Sequence, residues 1–332
     1  MDVMGKFIEK YVPLINRELD RVTRGFPENV YNAARHLLLA GGKRVRPSLT
    51  LTYARMLGGE EGEDSALPFA VSVELLHNFT LIHDDIMDKD EFRRGVKTVH
   101  TVFGENIAIL AGDLLFAISF ENALSNEKVQ PENRVKAVNL LSQASRIVAE
   151  GQALDVSFEE SWDVKLEDYL DMIYRKTGAL IEAATGMGAL AVTQNDGIVR
   201  NARIYGKNIG IAFQLRDDVL GVFGDPSKTG KPIYSDIARA KKTVLILYAL
   251  SNLNIDESER LKEILEGKTT DIELLKEAAG LIEKSGAKEY ALNLAYKYSK
   301  DAIEMVEKTN AVDEDARKAL VEFAKFVVER EK

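Results

Sequence analysis

Cysteine is missing from all 332 residues of the chain. Its absence excludes disulfide bonds and thiolate metal sites, and it makes a reducing compartment the simplest setting. A long hydrophobic run is also missing, since the longest one, residues 244–250, is far too short to span a bilayer. Charges recur every few residues near the N-terminus, which argues against a signal peptide. We therefore expect a cytoplasmic protein with no integral membrane segment.

Basic residues are in the minority, because 44 lysines and arginines face 53 aspartates and glutamates, for a formal net charge of −9. An acidic chain is a poor electrostatic match for nucleic acid, so we expect no nucleic-acid partner. It would also repel a phosphate-bearing substrate unless basic residues or metal ions were concentrated locally. Hydrophobic residues make up 45% of the chain, which is enough for a large core.

A convincing alternating strand pattern is absent too, and helical periodicity dominates instead. We predict helices over residues 2–22, 28–40, 45–57, 65–89, 105–125, 131–158, 166–193, 199–222, 235–251, 256–266, 271–308 and 313–330. No linker rich in serine, proline or glycine separates them. The sequence therefore predicts an all-α protein, with residues 1–332 forming a single large helical bundle around a central cavity. Helices apolar on more than one face should lie inside it or at a subunit interface, notably residues 65–82, 107–124 and 178–193.

One of these helices carries a polar stripe among apolar neighbours. His77, Thr80, Asp84 and Asp88 fall within an arc of ~80° at helical spacing, with Asp85 at its edge. The stripe could be a solvated acidic face, since like-charged pairs on an exposed helix cost only ~0.2–0.5 kcal/mol. The apolar neighbours favour another interpretation, because a carboxylate in such a setting needs a cation or a metal. Oxygen ligands without cysteine favour Mg²⁺ over zinc.

A second helix repeats the pattern, with Gln214, Asp217 and Gly221 on one stripe and Asp218 beside it. Two acidic stripes that face each other could hold several hard cations, which would in turn bind a ligand rich in phosphate oxygens. A ferritin-like di-iron bundle is the competing hypothesis, since residues 74–77 match its Glu-x-x-His pattern. That pattern occurs once and the chain has only 4 histidines, so the di-iron hypothesis fits poorly.

Basic residues cluster close in sequence to the acidic helices. The clusters are Lys43, Arg44 and Arg46 in a glycine-flanked loop, Arg93 and Arg94 after the first acidic helix, Lys176 with Thr177 in an apolar helix, and Lys231 in the loop after the second acidic helix. The last loop is not a Walker loop, because its spacing is wrong and no strand precedes it. Each cluster alone is typical of solvated surface. Together they indicate anion-binding groups gathered around metal-binding helices.

These residues belong to motifs that extend over nearly the whole chain, namely GGKRVRP, ELLHNFTLIHDDIMD, RRG, RKTG, FQLRDDVLGVFGD, TGK and SDI-x3-K. In this order the motifs resemble those of the trans-isoprenyl diphosphate synthases, most closely the archaeal short-chain geranylgeranyl type. The resemblance implies the isoprenoid synthase fold. It also implies a prenyl transferase that adds isopentenyl diphosphate to dimethylallyl, geranyl or farnesyl diphosphate. A homodimer is implied as well, with residues 107–124 as its candidate interface.

The resemblance assigns a role to each matching residue. Two or three Mg²⁺ ions, replaceable by Mn²⁺, would be held by Asp84, Asp88 and Asp217, supported by Asp85, Asp218 and Asp236, of which Asp236 is also a candidate metal ligand. The allylic diphosphate would bind Arg93, Lys176, Lys231 and Lys241. Isopentenyl diphosphate would bind Lys43, Arg46, His77 and Arg94. Thr177 and Gln214 would lie beside the developing allylic cation.

Product length and the second motif raise separate questions. Phe79 is large and Thr80 is small, and in the resembled family this pairing goes with a C20 product, so we expect mainly geranylgeranyl diphosphate. Gly221 stands where many members carry a third aspartate. The alternative is a farnesyl or longer-chain synthase. A terpene cyclase or an inactive partner subunit is less favoured, because a cyclase needs no second diphosphate pocket and an inactive subunit should have lost one aspartate motif.

Overall fold

The computed structural model describes residues 3–224 and 234–330, except for the side chain of Glu160. Its first helices are α1 Val3–Val22, α2 Glu28–Leu39, α3 Val45–Met87, α4 Val99–Phe103, α5 Glu105–Leu124, α6 Pro131–Glu160, α7 Leu166–Ile173, α8 Ala179–Leu190 and α9 Asp196–Phe223. Further helices cover Ser235–Ala238, Val244–Asn252, Ile255–Glu266, Ile272–Lys284, Ala287–Glu307 and Glu314–Glu329. The prediction of an all-α protein is confirmed.

Glycine accounts for two differences between the predicted and the observed helices. The helices predicted over residues 45–57 and 65–89 correspond to the two arms of α3, which join at a kink at Gly59, where a φ of 62° and a ψ of −147° are not helical, so the gap between them is shorter than predicted. The single helix predicted over residues 271–308 is broken at Gly286, whose φ of 79° is a left-handed conformation that ends a helix. Helical periodicity continues across Gly286, so the pattern did not reveal that break.

Two other predicted helices are interrupted where no glycine has a left-handed backbone. The helix predicted over residues 166–193 contains a π turn, Tyr174–Gly178, between α7 and α8. π turns widen the helix locally and are frequent at functional sites. The helix predicted over residues 235–251 is divided near Ala240, which has a left-handed φ of 51°.

A short hairpin follows α3, although the sequence pattern indicates no strand there. Phe92–Arg93 pairs antiparallel with Val96–Lys97. Arg94 and Gly95 make the turn with positive φ values of 53° and 77°, as tight hairpin turns require. Strands of two residues are too short to give an alternating pattern. The hairpin places Arg93 in a strand and Arg94 at its turn.

The described residues group into two compact units, each assembled from separate stretches of the chain. The first unit lies within Met1–Ser145, Leu180–Gly206 and Met305–Glu322. The second unit lies within Arg146–Ala179, Lys207–Glu304 and Phe323–Lys332. The first acidic motif and the glycine-flanked basic loop belong to the first unit, and the second acidic motif belongs to the second.

The core of the first unit forms where α3 packs against α5. Leu75 and Ile82 of α3 are buried there together with Ala111 and Leu115 of α5. The part of α3 between residues 65 and 82 is therefore buried, as its apolar faces predict. Helix α8, which is also apolar all round, is buried along nearly its whole length.

By length and composition alone, α3 and α5 are each apolar enough to cross a membrane. Their most apolar stretches are 61% and 44% buried within the protein, and core helices pass the same test of length and composition. Helix α5 differs from α3 in keeping an apolar stripe at the surface, formed by Ile109, Leu110 and Phe116.

Close packing of α8 on α3 generates a stability prediction. A Cβ atom on Gly188 would clash with the carbonyl oxygen of Thr50, so Gly188→Ala should lower the free energy of unfolding by ~1–3 kcal/mol. The matched control is Gly280→Ala, because a Cβ there meets open space and should stabilise its helix by ~0.5–1 kcal/mol. Urea denaturation of both variants measures the difference. Equal effects of the two substitutions would contradict the packing argument.

Candidate active site

The first acidic motif lies at the end of α3, in the first unit. Asp84 is half-buried and Asp85 is fully buried, whereas Asp88 is exposed just beyond the last helical residue. Arg93 Nε donates a hydrogen bond to Asp85 Oδ1, and the other carboxylate oxygen of Asp85 is buried without a hydrogen-bond partner among the described residues. Burial raises the pKa of the Asp85 carboxyl, and the neighbouring Arg93 opposes that change. Asp85 therefore fixes the position of the Arg93 guanidinium.

Basic groups of the first unit meet at His77. Arg46 Nη1 lies 3.2 Å from His77 Nε2, and Arg46 Nε is buried with no hydrogen-bond partner in the described part of the chain. Burial, followed by the positive charges of Arg46 and Arg94, lowers the pKa of His77 well below its ordinary value. The imidazole is therefore neutral at pH 7 and has one donor and one acceptor nitrogen. Lys43 is exposed on the same loop as Arg46.

Phe79 and Thr80 lie on α3 one turn before Asp84. The Phe79 ring packs edge-to-face on His83 at a centroid distance of 4.9 Å and on Phe116 of α5 at 5.1 Å. Thr80 Oγ1 donates to the carbonyl oxygen of His77 at 2.7 Å. The two side chains thus differ in surroundings as well as size, since Phe79 belongs to an aromatic cluster shared with the neighbouring helix.

The second unit contains a small cavity. Its lining combines residues proposed from the sequence with residues that were not: Asp155, Tyr169, Met172, Ile173, Lys176, Thr177, Gln214, Asp218 and Lys241. Lys176 Nζ donates to Asp155 Oδ2 at 2.6 Å, so an acidic partner already holds this lysine. Thr177 Oγ1 donates to Gln214 Oε1 at 3.2 Å.

Asp218 is the most deeply buried carboxylate of this cavity. Gln214 Nε2 donates to Asp218 Oδ1 at 3.0 Å, and the Tyr169 hydroxyl donates to Asp218 Oδ2. Burial raises the pKa of Asp218 to about 7, although Lys241 and both hydrogen bonds act in the opposite direction. A chain of hydrogen bonds therefore runs from Asp218 through Gln214 to Thr177, and it fixes the orientation of the Gln214 amide.

Glycines bring the backbones around this cavity together. A Cβ atom on Gly210 of α9 would clash with Gly178, the last residue of the π turn. A Cβ on Gly151 of α6 would clash with the backbone of Lys176. Because a larger residue at either position would push the π turn away, both glycines are needed for Thr177 to reach Gln214.

Asp217 has a cationic partner that the sequence analysis missed. Arg330 Nη2 donates to Asp217 Oδ1 and, at 3.1 Å, to the carbonyl oxygen of Phe213. The guanidinium also lies 3.8 Å above the Phe213 ring. Arg216 in turn donates through Nε and Nη2 to the carbonyl oxygen of Arg330, at 2.9 and 2.7 Å. Helix α9 therefore holds both the backbone and the side chain of Arg330.

Asp236 occupies the space beside Gly221. A Cβ atom on Gly221 would clash with the Asp236 carboxylate, so that carboxylate fills the position into which a side chain at residue 221 would project. The helical turn Ser235–Ala238 carries Asp236 in its first turn. The glycine in the second motif is thus compensated in space by a carboxylate from a later segment.

Some residues assigned a role from the sequence cannot be placed in a site by contacts among the described residues. Lys231 lies in residues 225–233, outside the described part of the chain. No three histidine, aspartate or glutamate side chains within residues 3–224 and 234–330 come close enough together to hold a metal ion by themselves. The residues that sequence reasoning missed, Asp155, Tyr169 and Arg330, lie far in sequence from their partners. Asp155 is one of several acidic residues in α6, so its position in the sequence pointed to no partner.

Comparison with known proteins extends over both units. The family profile described as polyprenyl synthetase matches residues 27–282. A geranylfarnesyl diphosphate synthase of Aeropyrum pernix is 45% identical over 308 residues, which are 92% of this chain and 96% of that protein. The crystal structure of a geranylgeranyl pyrophosphate synthetase from Pyrococcus horikoshii Ot3 has a TM-score of 0.91 and 40% identity, covering 99% of this chain and 98% of that chain. A polyprenyl synthase from Caulobacter crescentus CB15, complexed with calcium and isoprenyl diphosphate, has a TM-score of 0.86 and 31% identity, covering 99% and 98%.

The contact between Gly221 and Asp236 leads to a prediction about stability. Gly221→Asp should lower the free energy of unfolding by ~1–3 kcal/mol, because the new side chain overpacks the contact and sets two carboxylates side by side. Gly221→Ala, the uncharged control, should cost less. Thermal unfolding at pH 7 and at pH 5 separates the two causes, since lower pH should reduce the cost of the aspartate alone. Equal costs of Ala and Asp at both pH values would exclude repulsion between carboxylates.

Proposed function

The chain belongs to the polyprenyl synthetase family and is a trans-prenyltransferase, and from this premise we propose that it makes mainly geranylgeranyl diphosphate. Isopentenyl diphosphate is added head-to-tail to allylic diphosphates, for which dimethylallyl, geranyl and farnesyl diphosphate are the proposed substrates. One observation carries the assignment of residues. Lys176, Thr177, Gln214, Asp218 and Lys241, all named from the sequence, line a single cavity.

Polyprenyl synthetases work with a divalent metal. We propose Mg²⁺, two or three ions per site and replaceable by Mn²⁺, with Asp84, Asp88, Asp217 and Asp236 as ligands. The donors fit this ion, because they are carboxylate oxygens without sulfur or nitrogen, and Mg²⁺ takes only one or two carboxylates when substrate phosphates supply the remaining ligands. When bound, the metal stabilises the negative charge that develops on the departing pyrophosphate.

The basic residues of the chain divide between two diphosphates in this proposal. Arg93, Lys176, Lys231 and Lys241 neutralise the allylic diphosphate, and Lys43, Arg46, His77 and Arg94 hold that of isopentenyl diphosphate. Support for the second group comes from the contact of Arg46 with His77 and from the buried Arg46 Nε, which has a donor to offer. Support for the first group comes from the half-buried Lys176, which lines the cavity of the second unit.

Thr177 and Gln214 act on the reacting carbon atoms in this proposal. The Gln214 amide is fixed, because its nitrogen donates to Asp218 and its oxygen accepts from Thr177. Oxygen dipoles that are held in place can stabilise a developing positive charge without reorganising. The cavity must exclude water, which would otherwise capture the allylic cation. The isopentenyl double bond then attacks that cation, and the proton released goes to the departing pyrophosphate.

The alternatives differ in what they require of the basic loop. A terpene cyclase needs no site for a second diphosphate, so the convergence of Arg46, His77 and Arg94 in the first unit speaks against it. An inactive partner subunit should have lost one aspartate motif, whereas Asp84 and Asp217 are both present.

We further propose that residues 1–332 act as one catalytic domain, which is supported by a family profile that spans both compact units. A homodimer is proposed from α5, whose surface stripe of Ile109, Leu110 and Phe116 is apolar enough to serve as an interface. The proposed location is the cytoplasm, which suits a chain without cysteine.

The metal proposal predicts the behaviour of an Asp84 variant. Asp84→Ala should lower the rate of condensation by about 10²–10³-fold or more, because a carboxylate that holds the metal at the departing charge is lost. Asp64→Ala on the same helix is the control, since the Asp64 side chain is exposed in a surface ion pair. Incorporation of labelled isopentenyl diphosphate measures the rate, and circular dichroism checks folding. Turnover of the wild-type chain in excess chelator would refute the metal requirement.

Product length should follow the side chains one turn before Asp84, because one helical turn of ~5.4 Å is about the length of one isoprene unit. Thr80→Phe should shorten the main product to farnesyl diphosphate. Thr80→Val, which removes the hydroxyl without adding bulk, should leave it unchanged. Phe79→Ala should lengthen the product beyond C20, because it removes a ring from the cluster with Phe116. Chromatography of the dephosphorylated products measures chain length, and an unchanged Phe79→Ala distribution would show that other residues stop elongation.

A further inference from the structure

Arg44 differs from the other cations of the basic loop, because its side chain is 0% exposed. It has a left-handed backbone, with φ of 48°, immediately before α3 begins. Each guanidinium nitrogen has a partner. Nε donates to Asn16 Oδ1 at 2.9 Å, Nη1 donates to Glu74 Oε1 at 2.7 Å, and Nη2 donates to the carbonyl oxygen of Leu38. Because every nitrogen is engaged and the side chain is fully buried, Arg44 does not face a substrate.

Glu74 connects Arg44 to Arg94 through Asn78. Glu74 Oε1, which accepts from Arg44, also accepts from Asn78 Nδ2 at 3.1 Å. Asn78 Oδ1 accepts from Arg94 Nη1 at 3.1 Å. Glu74 and Asn78 are 2% and 0% exposed, so water does not compete for these bonds. The orientation of each side chain in this series depends on the one before it.

The same series leaves part of Arg94 available to an anion. Arg94 bonds to Asn78 and, at 2.8 Å, to the carbonyl oxygen of Gly41, and both bonds use Nη1. Nε and Nη2 make no hydrogen bond within the described chain. Gly42, at φ 131°, lets the loop backbone approach, since a Cβ there would come within 3.1 Å of Arg94 Cζ. The loop and the Arg94 guanidinium are therefore held against each other.

The negative charge of Glu74 also acts on the arginines of the basic loop and the hairpin. Burial lowers the pKa of both Arg46 and Arg94, and the negative charge of Glu74 is the strongest influence in the opposite direction. The Glu74 carboxylate thus offsets the repulsion among Arg44, Arg46 and Arg94, while it is paired with Arg44. An uncompensated carboxylate or guanidinium at this depth would be strongly unfavourable.

We propose that Arg44, Glu74 and Asn78 are positioning residues that fix Arg94 and the loop of residues 41–46 for the diphosphate of isopentenyl diphosphate. This inference rests on the proposed function, which assigns that diphosphate to Lys43, Arg46, His77 and Arg94. None of the three positioning residues touches the substrate. Their effect is to hold Arg94 in one orientation before the substrate arrives, which lowers the cost of binding.

Asn78→Ala is the sharpest test, because it breaks the connection between Glu74 and Arg94 without leaving a buried charge unpaired. We expect the KM for isopentenyl diphosphate to rise about tenfold, as loss of one hydrogen bond to a charged group predicts, and the KM for the allylic substrate to stay within about twofold. Calorimetric titration with isopentenyl diphosphate should show the same loss of affinity. Equal changes in both KM values, or none, would overturn the inference.

Arg44 is tested by a variant that keeps the chain folded. Arg44→Met alone leaves Glu74 buried and unpaired, so the double variant Arg44→Met/Glu74→Gln removes both charges together. It should show the same selective rise in KM, and Arg44→Lys, which keeps the charge of the pair, should recover part of the loss. A double variant with wild-type KM values for both substrates would overturn the positioning role of Arg44 and Glu74.

Arg55→Met is the matched control for a merely structural ion pair. Arg55 is also mostly buried in the first unit and bonds to Glu63 and Asp313, each at 2.7 Å. It should lower the melting temperature without changing the ratio of the two KM values. A selective effect of Arg55→Met on isopentenyl diphosphate would overturn the inference, because any loss of stability would then mimic it. A wild-type chain that neither condenses nor binds isopentenyl diphosphate would instead refute the proposed function, and the positioning role with it.

Discussion

A carboxylate moved from water into an apolar helix bundle costs several kcal/mol unless a cation or hydrogen-bond donors meet it. Each unit satisfies this constraint with ion pairs between distant parts of the chain, Arg44 with Glu74 in the first and Lys176 with Asp155 in the second. Lys176, which we assign to the allylic diphosphate, therefore does not wait unpaired for its substrate. A diphosphate that binds there shares the lysine with Asp155 or displaces it. Binding is then an exchange of partners, which lowers the gain in affinity but keeps the lysine in place.

The same constraint separates cations that bind substrate from cations that support the site. Lys43 and Arg44 are neighbours in one loop, yet Lys43 is exposed while the Arg44 side chain is 0% exposed with all its nitrogens bonded. The sequence presents both as positive charges beside glycines. What distinguishes them is the left-handed backbone at Arg44, which turns its side chain towards Glu74. A buried carboxylate thus decides which member of a basic cluster is available to an anion.

Periodicity predicted nearly every helix of the structure, because each helix buries one face and that face repeats every 3.6 residues. It could not predict the break at Gly286, the π turn at Tyr174–Gly178 or the two-residue strands, since none of these changes the pattern enough. The site residues likewise divide into those that the sequence pattern could place and those that it could not. Residues on one helix, such as Thr80 and Asp84, could be placed together from their spacing, but partners that fold brings from far along the chain left no signal. Arg330, which meets Asp217 across 113 positions, is the clearest case.

The second aspartate motif shows why residue counts within a motif can mislead. Compared position by position with the first motif, the second motif is one carboxylate short at Gly221. In the folded chain, the Asp236 carboxylate fills the volume that a side chain at residue 221 would need. Asp236 can approach α9 only because residue 221 is a glycine. The number of carboxylates beside Asp217 is set by which segments can come close, and a small residue can raise it. An acidic residue restored at position 221 would therefore compete with Asp236 for the same space, and a motif that looks more complete would not bring more carboxylates to the site.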